Sequence, residues 1–184
     1  ITNAEGRLVT RSEVGKMSKR YFNVVNPDDV VERYGADCFR MYEMFLGPIE
    51  QAKPWDTNGI DGVSKFLRRF WNLFFDGKGN WSVSEEEPTK EELKVLHTAI
   101  KKVNEDIERL AFNTCVSAFM VVTNDLKKLK CNKRAALEPL VTLIAPFAPH
   151  LAEELWHRLG HEGSVHAEGS FPVHQEEYLQ EDAV

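Results

Sequence analysis

The chain is 184 residues long, 42% hydrophobic and 28% charged, an ordinary balance for a folded, water-soluble protein. Its 23 Lys/Arg against 29 Asp/Glu give a net charge of −6, which excludes a histone-like polycation. No apolar run approaches the ~18 residues that span a bilayer, and a chain of this length buries roughly 70% of its unfolded surface without needing a disulfide or metal staple.

Residues 1–11 lack the apolar core of a signal peptide and begin without Met, so a piece of a longer cytoplasmic protein is expected. Gly6-Arg7-Leu8-Val9-Thr10 reads as a short strand, and Gly15 to Phe22 as a cationic loop. Asn26-Pro27-Asp28-Asp29 starts a helix: Asn as N-cap, Pro at the first helical position, two carboxylates in the first turn. That helix is short, because Gly35 follows Tyr34 as a C-terminal stop. A second helix is predicted from about Asp37 to Phe45, halted by Gly47-Pro48. Residues 47–56 form a loop that ends in Lys53-Pro54-Trp55-Asp56.

A long helix is predicted over about 58–75, with Ile60, Val63, Phe66, Leu67, Phe70, Trp71, Leu73 and Phe74 on one face. Asp76 to Pro88 reads as a polar linker with three consecutive glutamates. Thr89-x-x-Glu92 is a capping box opening a helix whose apolar side is Leu93, Leu96, Ile100, Val103, Ile107 and Leu110. Asn113 is the expected cap of the next helix, with Val116, Phe119, Met120, Leu126 and Leu129 inward. Asn132 is the expected cap of another over 133–145, bent at Pro139. Pro149 opens the last helix, which runs through Leu155 and Trp156 to Leu159 and Gly160. Residues 163–184 look extended and then disordered.

The expected fold is mainly α: a helical bundle preceded by a piece of a different domain. Three distant cysteines, Cys38, Cys115 and Cys131, form no C-x-x-C pair and read as reduced, packed thiols. Charge is uneven. Residues 1–80 carry 12 Lys/Arg and 11 Asp/Glu, while residues 81–184 carry 11 and 18. Within the acidic part lies one basic cluster, Lys127, Lys128, Lys130, Lys133 and Arg134. Such a cluster suits a solvated helix C-terminus, and also a nucleic-acid backbone if its cations share a face. Arg68, Arg69 and Lys65 on the long helix, with Lys101, Lys102, Lys127, Lys128, Lys130 and Arg134, are the candidate phosphate contacts. Trp71, Trp156, Phe66, Phe70, Phe74 and Phe119 have the helical spacing of core residues. His157-x-x-x-His161 has a zinc-compatible spacing, but Gly160 breaks the helix between them, and no metal is expected.

Lys16-Met17-Ser18-Lys19-Arg20 lies just before a capped helix. Two lysines three apart on a mobile loop can close over a polyphosphate, and an ammonium there stabilises charge on a leaving pyrophosphate. Taken alone, K-x-x-K is usually a solvated basic loop.

Its neighbours extend the pattern. Asn23-Val24-Val25-Asn26-Pro27-Asp28, Tyr34-Gly35-Ala36-Asp37 with Arg40, Tyr42-Glu43-Met44-Phe45-Leu46-Gly47-Pro48, Lys53-Pro54-Trp55 and Phe66-Leu67-Arg68-Arg69-Phe70-Trp71 follow in order. Phe112-Asn113-Thr114 and Ala145-Pro146-Phe147-Ala148-Pro149-His150-Leu151-Ala152-Glu153-Glu154-Leu155-Trp156 complete it. Over about residues 1–175 this resembles the class I aminoacyl-tRNA synthetases, specifically the bacterial-type leucyl-tRNA synthetases. The resemblance implies a K-M-S-K-S-type loop in which Lys19 steadies the ATP phosphates, Lys16 helps hold the loop closed, and Met17, Ser18 and Arg20 shape it. It implies an end of catalytic domain with stem-contact helices over 1–47, a tRNA-holding bundle of the anticodon-binding type over 48–175, and an acidic tail over 176–184. The parent would be a monomeric leucine–tRNA ligase using ATP and Mg²⁺, with tRNA(Leu) as partner and no membrane. No H-x-G-H motif occurs, so this chain alone is expected to make no adenylate and to bind neither ATP nor Mg²⁺. ATP and leucine would be engaged only through the rest of the catalytic domain. Two positions depart from the family: Arg20 stands where Ser is usual, and Tyr21-Phe22 where Lys-Gly is common, which removes easy access to positive φ. The alternative is a stand-alone helical RNA-binding module, for which an ATP loop has no use.

Overall fold

The computed structural model describes residues 5, 15–56 and 58–180. Its helices are α1 (Pro27–Tyr34), α2 (Ala36–Phe45), α3 (Ile60–Trp71), α4 (Lys90–Glu108), α5 (Phe112–Lys128), α6 (Arg134–Ile144), α7 (Pro149–Arg158) and the single-turn α8 (Val165–Glu168). Two 3₁₀ turns, Lys19–Tyr21 and Glu176–Tyr178, flank them. The strand expected over 6–10 lies outside the described residues. Two isolated bridges, Phe75 with Trp81 and Ser84 with Lys133, are the β pairings among the described residues. No helix there is long and apolar enough to cross a membrane.

Local chemistry accounts for several helix starts. Asn26 caps α1 by accepting from the Asp28 amide, with Pro27 at the first position. At α4 the capping box is complete: Thr89 accepts from the Glu92 amide at 3.2 Å, and the Glu92 carboxylate accepts from the Thr89 amide at 2.7 Å. Gly35 ends α1 at φ +89°, a left-handed conformation that glycine adopts without strain.

Two expected caps are not caps. α5 begins at Phe112 behind Ala111, and Asn113 is already inside it. The chain there is set by the end of α4, where the Leu110 amide bonds to Ile107 O and the Ala111 amide to Asp106 O. This is the paired closure of a Schellman motif, with Leu110 at φ +56° in the usual glycine place. Asn132 instead sends its side-chain amide to Ser82 O at 2.7 Å, and Lys133 is the residue before α6. Pro139 lies inside α6, which continues past it to Ile144.

α3 is shorter than its apolar pattern, because the chain turns after Trp71. The Asp76 carboxylate accepts from the Lys78 and Asn80 amides at 2.8 and 2.9 Å, closing a small hairpin. It stacks Trp81 on Phe74 at 5.9 Å and sets it edge-on to Phe75 at 5.4 Å. The expected linker is therefore packed structure.

α4 lies along α5, α2 packs against α3 and α5, and α6 packs against α7 and α4. Phe66, Phe70, Phe74, Phe119, Leu137 and Leu140 fill the centre, fully buried. Cys38, Cys115 and Cys131 are buried thiols, and burial pushes each up to about 11, out of the reactive range.

Residues 171–179, expected to be extended and then disordered, return as a strap across α4. Asn104 donates to Pro172 O at 3.0 Å, and the Gln175 amide donates to His97 Nδ1 at 3.1 Å. Tyr178 stacks on the His97 ring at 4.7 Å. His97 must be neutral at Nδ1 to accept that bond, and burial, then the neighbouring His174, holds its pKa below the ordinary value, against an opposing pull from Glu177. A folded-state pKa below the unfolded 6.5 means that the unfolded chain binds the extra proton first. Stability from the strap is thus complete above about pH 6.5 and declines as pH falls. Amide exchange over 171–179 is expected to accelerate between pH 7.5 and 5.5, after correction for intrinsic rates, relative to α5. In His97→Phe that pH dependence should shrink.

Candidate functional site

Two surfaces carry the residues singled out by the sequence. The first is the Lys16–Arg20 loop. Ser18 accepts from the Arg20 amide at 3.2 Å and caps the 3₁₀ turn Lys19–Tyr21. Phe22 closes it at φ +52° with its ring almost wholly exposed. The chain thus takes the left-handed conformation at the very position where the resembled family has glycine. Lys16 and Lys19 are exposed and make no ion pair among the described residues. Met17 reaches the rim of an open cavity of about 550 Å³, shared with Val25, Phe39, Met44, Trp55 and Phe112.

This loop is tied to the bundle through α1 and α2. Asp37, at the first turn of α2, is buried. Its carboxylate accepts from the backbone amides of His150 and Leu151 at 3.3 and 2.7 Å and lies 2.8 Å from His150 Nδ1. So α7 is capped by a residue from another helix. Arg40 donates to Pro146 O at 3.1 Å, and the Tyr42 hydroxyl donates to Asp56 O at 2.5 Å. Trp55 packs edge-on against Tyr42 at 5.3 Å.

The second surface is the set of cations, and the structure divides it. Lys102 lies 2.8 Å from the buried Asp106 carboxylate, to which Arg109 also binds at 2.7 Å. Burial pushes that carboxyl up, but its hydrogen bonds from Lys102, Thr114 and Arg109 outweigh this and leave it below the usual range. Arg134 is equally committed: Nε to Glu138 at 2.8 Å, Nη1 to Glu85 at 3.2 Å and Nη2 to Leu159 O at 2.7 Å. Lys133 pairs with Glu86. Lys101 pairs with Glu176 of the strap at 3.2 Å, and Lys128 with Asp125 at 2.8 Å in an exposed pair. Arg69 is half-buried, its Nε buried without a protein partner.

Lys65 and Arg68 remain open on α3. With Arg33 of α1, which the sequence reading did not select, they line a groove of about 440 Å³ with Ser64 and a single carboxylate, Asp61. Arg33 sits over the Tyr34 ring at 5.0 Å. Its place in the last turn of α1 was visible, but the approach of α1 to α3 was not. Lys127 and Lys130 are exposed at the end of α5 and do not line this groove.

The aromatics with core spacing are core residues: Phe66, Phe70, Phe74, Phe119 and Trp156 are buried, and Trp71 packs half-buried against them. His161 stacks on Trp156 at 3.5 Å with its Nε2 3.2 Å from Glu138, and His157 Nδ1 lies 2.9 Å from His161 O. Among the described residues no three His, Cys, Asp or Glu side chains gather as a metal site.

Residues 90–184 match the family described as "Anticodon-binding domain of tRNA ligase". The chain belongs to that family. It is 58% identical over 180 residues to the leucine–tRNA ligase of Parabacteroides distasonis, covering 98% of this chain and 19% of that protein. Against the leucine–tRNA ligase of Cytophaga hutchinsonii the identity is 62% over 173 residues, 94% of this chain and 19% of the relative. The chain therefore spans about a fifth of the length of these relatives. Among solved structures it is similar to the Agrobacterium radiobacter LeuRS in its ternary complex with tRNA and LeuAMS. There the TM-score is 0.75 and the identity 33%, over 90% of this chain and 23% of that one.

The division of cations in this anticodon-binding-type domain has a direct consequence. Lys102→Ala leaves a buried carboxylate short of one charged hydrogen bond, a loss of about 2 kcal/mol and roughly 4–8 °C in Tm. Lys65→Ala and Arg68→Ala, on the open groove, are expected to shift stability by less than about 0.5 kcal/mol. Thermal unfolding of the three variants checks this.

Proposed function

We propose that this chain is a segment of a leucine–tRNA ligase that activates leucine with ATP and attaches it to tRNA(Leu). The observation that carries the reading is the 58–62% identity to leucine–tRNA ligases over nearly the whole chain. The Lys16–Arg20 loop contacts the ATP phosphates, and the bundle holds the tRNA.

The residues present suit a polyphosphate. Lys16 and Lys19 are exposed, lie three residues apart and pair with no carboxylate among the described residues. When ATP is bound with Mg²⁺, the metal offsets phosphate charge. The work of this chain is to bring two ammonium groups to the phosphates and to hold them as pyrophosphate departs. Arg20, beside Lys19 on the 3₁₀ turn and exposed, adds a third cation.

For tRNA, the contact surface is narrower than the list of basic residues. Lys102 and Arg134 serve the fold. Arg33, Lys65 and Arg68 form one open cationic groove, and Lys127 and Lys130 a separate exposed pair. Phosphate contacts of this kind position a tRNA and carry no sequence information.

Two outcomes are expected. The chain alone gives no leucine-dependent ATP–pyrophosphate exchange, since it lacks any H-x-G-H motif; exchange above background would overturn that. In the full-length ligase, replacing Arg33, Lys65 and Arg68 together with Ala weakens tRNA binding and lowers the slope of log K against log salt by roughly 2, given ~0.7–0.9 per phosphate contact. An unchanged slope would remove the groove from the tRNA interface.

A further inference from the structure

The phosphate loop is held by a residue outside the lysine motif. Asn23 reaches back across it with both ends of its side-chain amide. Its Oδ1 accepts from the Ser18 amide at 2.7 Å, and its Nδ2 donates to Lys16 O at 3.3 Å. The two groups it engages, a carbonyl and an amide two residues apart, are those a neighbouring strand would use. Only a primary amide supplies donor and acceptor at this spacing. The bonds flank Met17, so they fix the peptide that carries Lys16 and the turn that opens at Lys19. The bend that returns Asn23 toward Ser18 is the left-handed Phe22, whose amide bonds to Lys19 O at 3.3 Å.

We propose that Asn23 is the positioning residue of the phosphate loop: it holds the Lys16–Ser18 backbone so that the Lys16 and Lys19 ammonium groups converge on one polyphosphate. This rests on the reading of the loop as an ATP-phosphate contact. Asn23 itself touches no substrate. Its side chain acts on the backbone alone and is exposed, so its loss leaves the bundle intact.

The test uses the full-length ligase and leucine-dependent ATP–pyrophosphate exchange, with Lys19→Ala, Asn23→Ala and Asn23→Asp in parallel. Asn23→Ala is expected to lower kcat at least ten-fold, with KM for leucine within two-fold of wild type and an unchanged Tm. Asn23→Asp keeps the acceptor for the Ser18 amide, the shorter of the two bonds, and should recover part of the rate. Lys19→Ala is expected to lose a hundred-fold or more; a wild-type rate in that variant overturns the ATP-loop reading, and this proposal with it. A loss in Lys19→Ala alongside a wild-type rate in Asn23→Ala overturns the positioning role alone.

Discussion

The arrangement of this molecule depends on one buried carboxylate. Helix α7 begins with amides that have no acceptor within the helix, and Ala148 before it offers no side-chain cap. Asp37 supplies the missing acceptor from α2. A carboxylate accepting two amides at a helix start is favoured by both charge and hydrogen bonding. Because donor and acceptor come from elements more than a hundred residues apart, the bond joins the loop-bearing segment to the last helices of the bundle. Arg40 on Pro146 O repeats the link one turn later. Removing Asp37 would leave the α7 amides without that acceptor and loosen one of the ties between α2, which follows the Lys16–Arg20 loop and α1, and the last helices.

A second constraint is where the acid goes. Part of the acid in the strongly negative part of the chain is taken up by its own cations. Glu85 and Glu86 fold onto Arg134 and Lys133, and Glu176 onto Lys101. These carboxylates neutralise cations that a linear reading counts as available. The α3 cations face only Asp61 in their groove. In a net-negative protein, this is a local excess of positive charge.

Legibility followed the range of the interactions. The α1 start, the Thr89–Glu92 box, the Pro149 start and the apolar faces of α3 and α4 depend on residues within four of one another, and each was readable. The Asn132 cap failed because a tertiary bond takes its side chain to Ser82, whereas the Asn113 cap failed for a local reason: the Schellman closure of α4 forms around Leu110, without the glycine that would have marked it. The strap over α4 was missed because its partners, His97 and Asn104, lie more than sixty residues upstream of Gln175 and Pro172. Lys16 and Lys19 stood out in the sequence by their K-x-x-K spacing, and the structure places both exposed. The Asn23 bonds to the loop backbone were not legible, since they form only when Phe22 turns the chain back.

That turn also explains why the loop can tolerate its departure from the family pattern. A side-chain-bearing residue in the left-handed region costs roughly 1–2 kcal/mol, and Phe22 gains no burial in return. The two Asn23 bonds contribute about 0.5–1.5 kcal/mol each. Cost and gain are thus of the same order, with the Ser18 cap and the turn's own backbone bonds added to the gain. A glycine there would give a turn of the same shape with less local strain. In the proposed ligase, a polyphosphate seated on both ammonium groups adds to the gain, linking substrate occupancy to loop order.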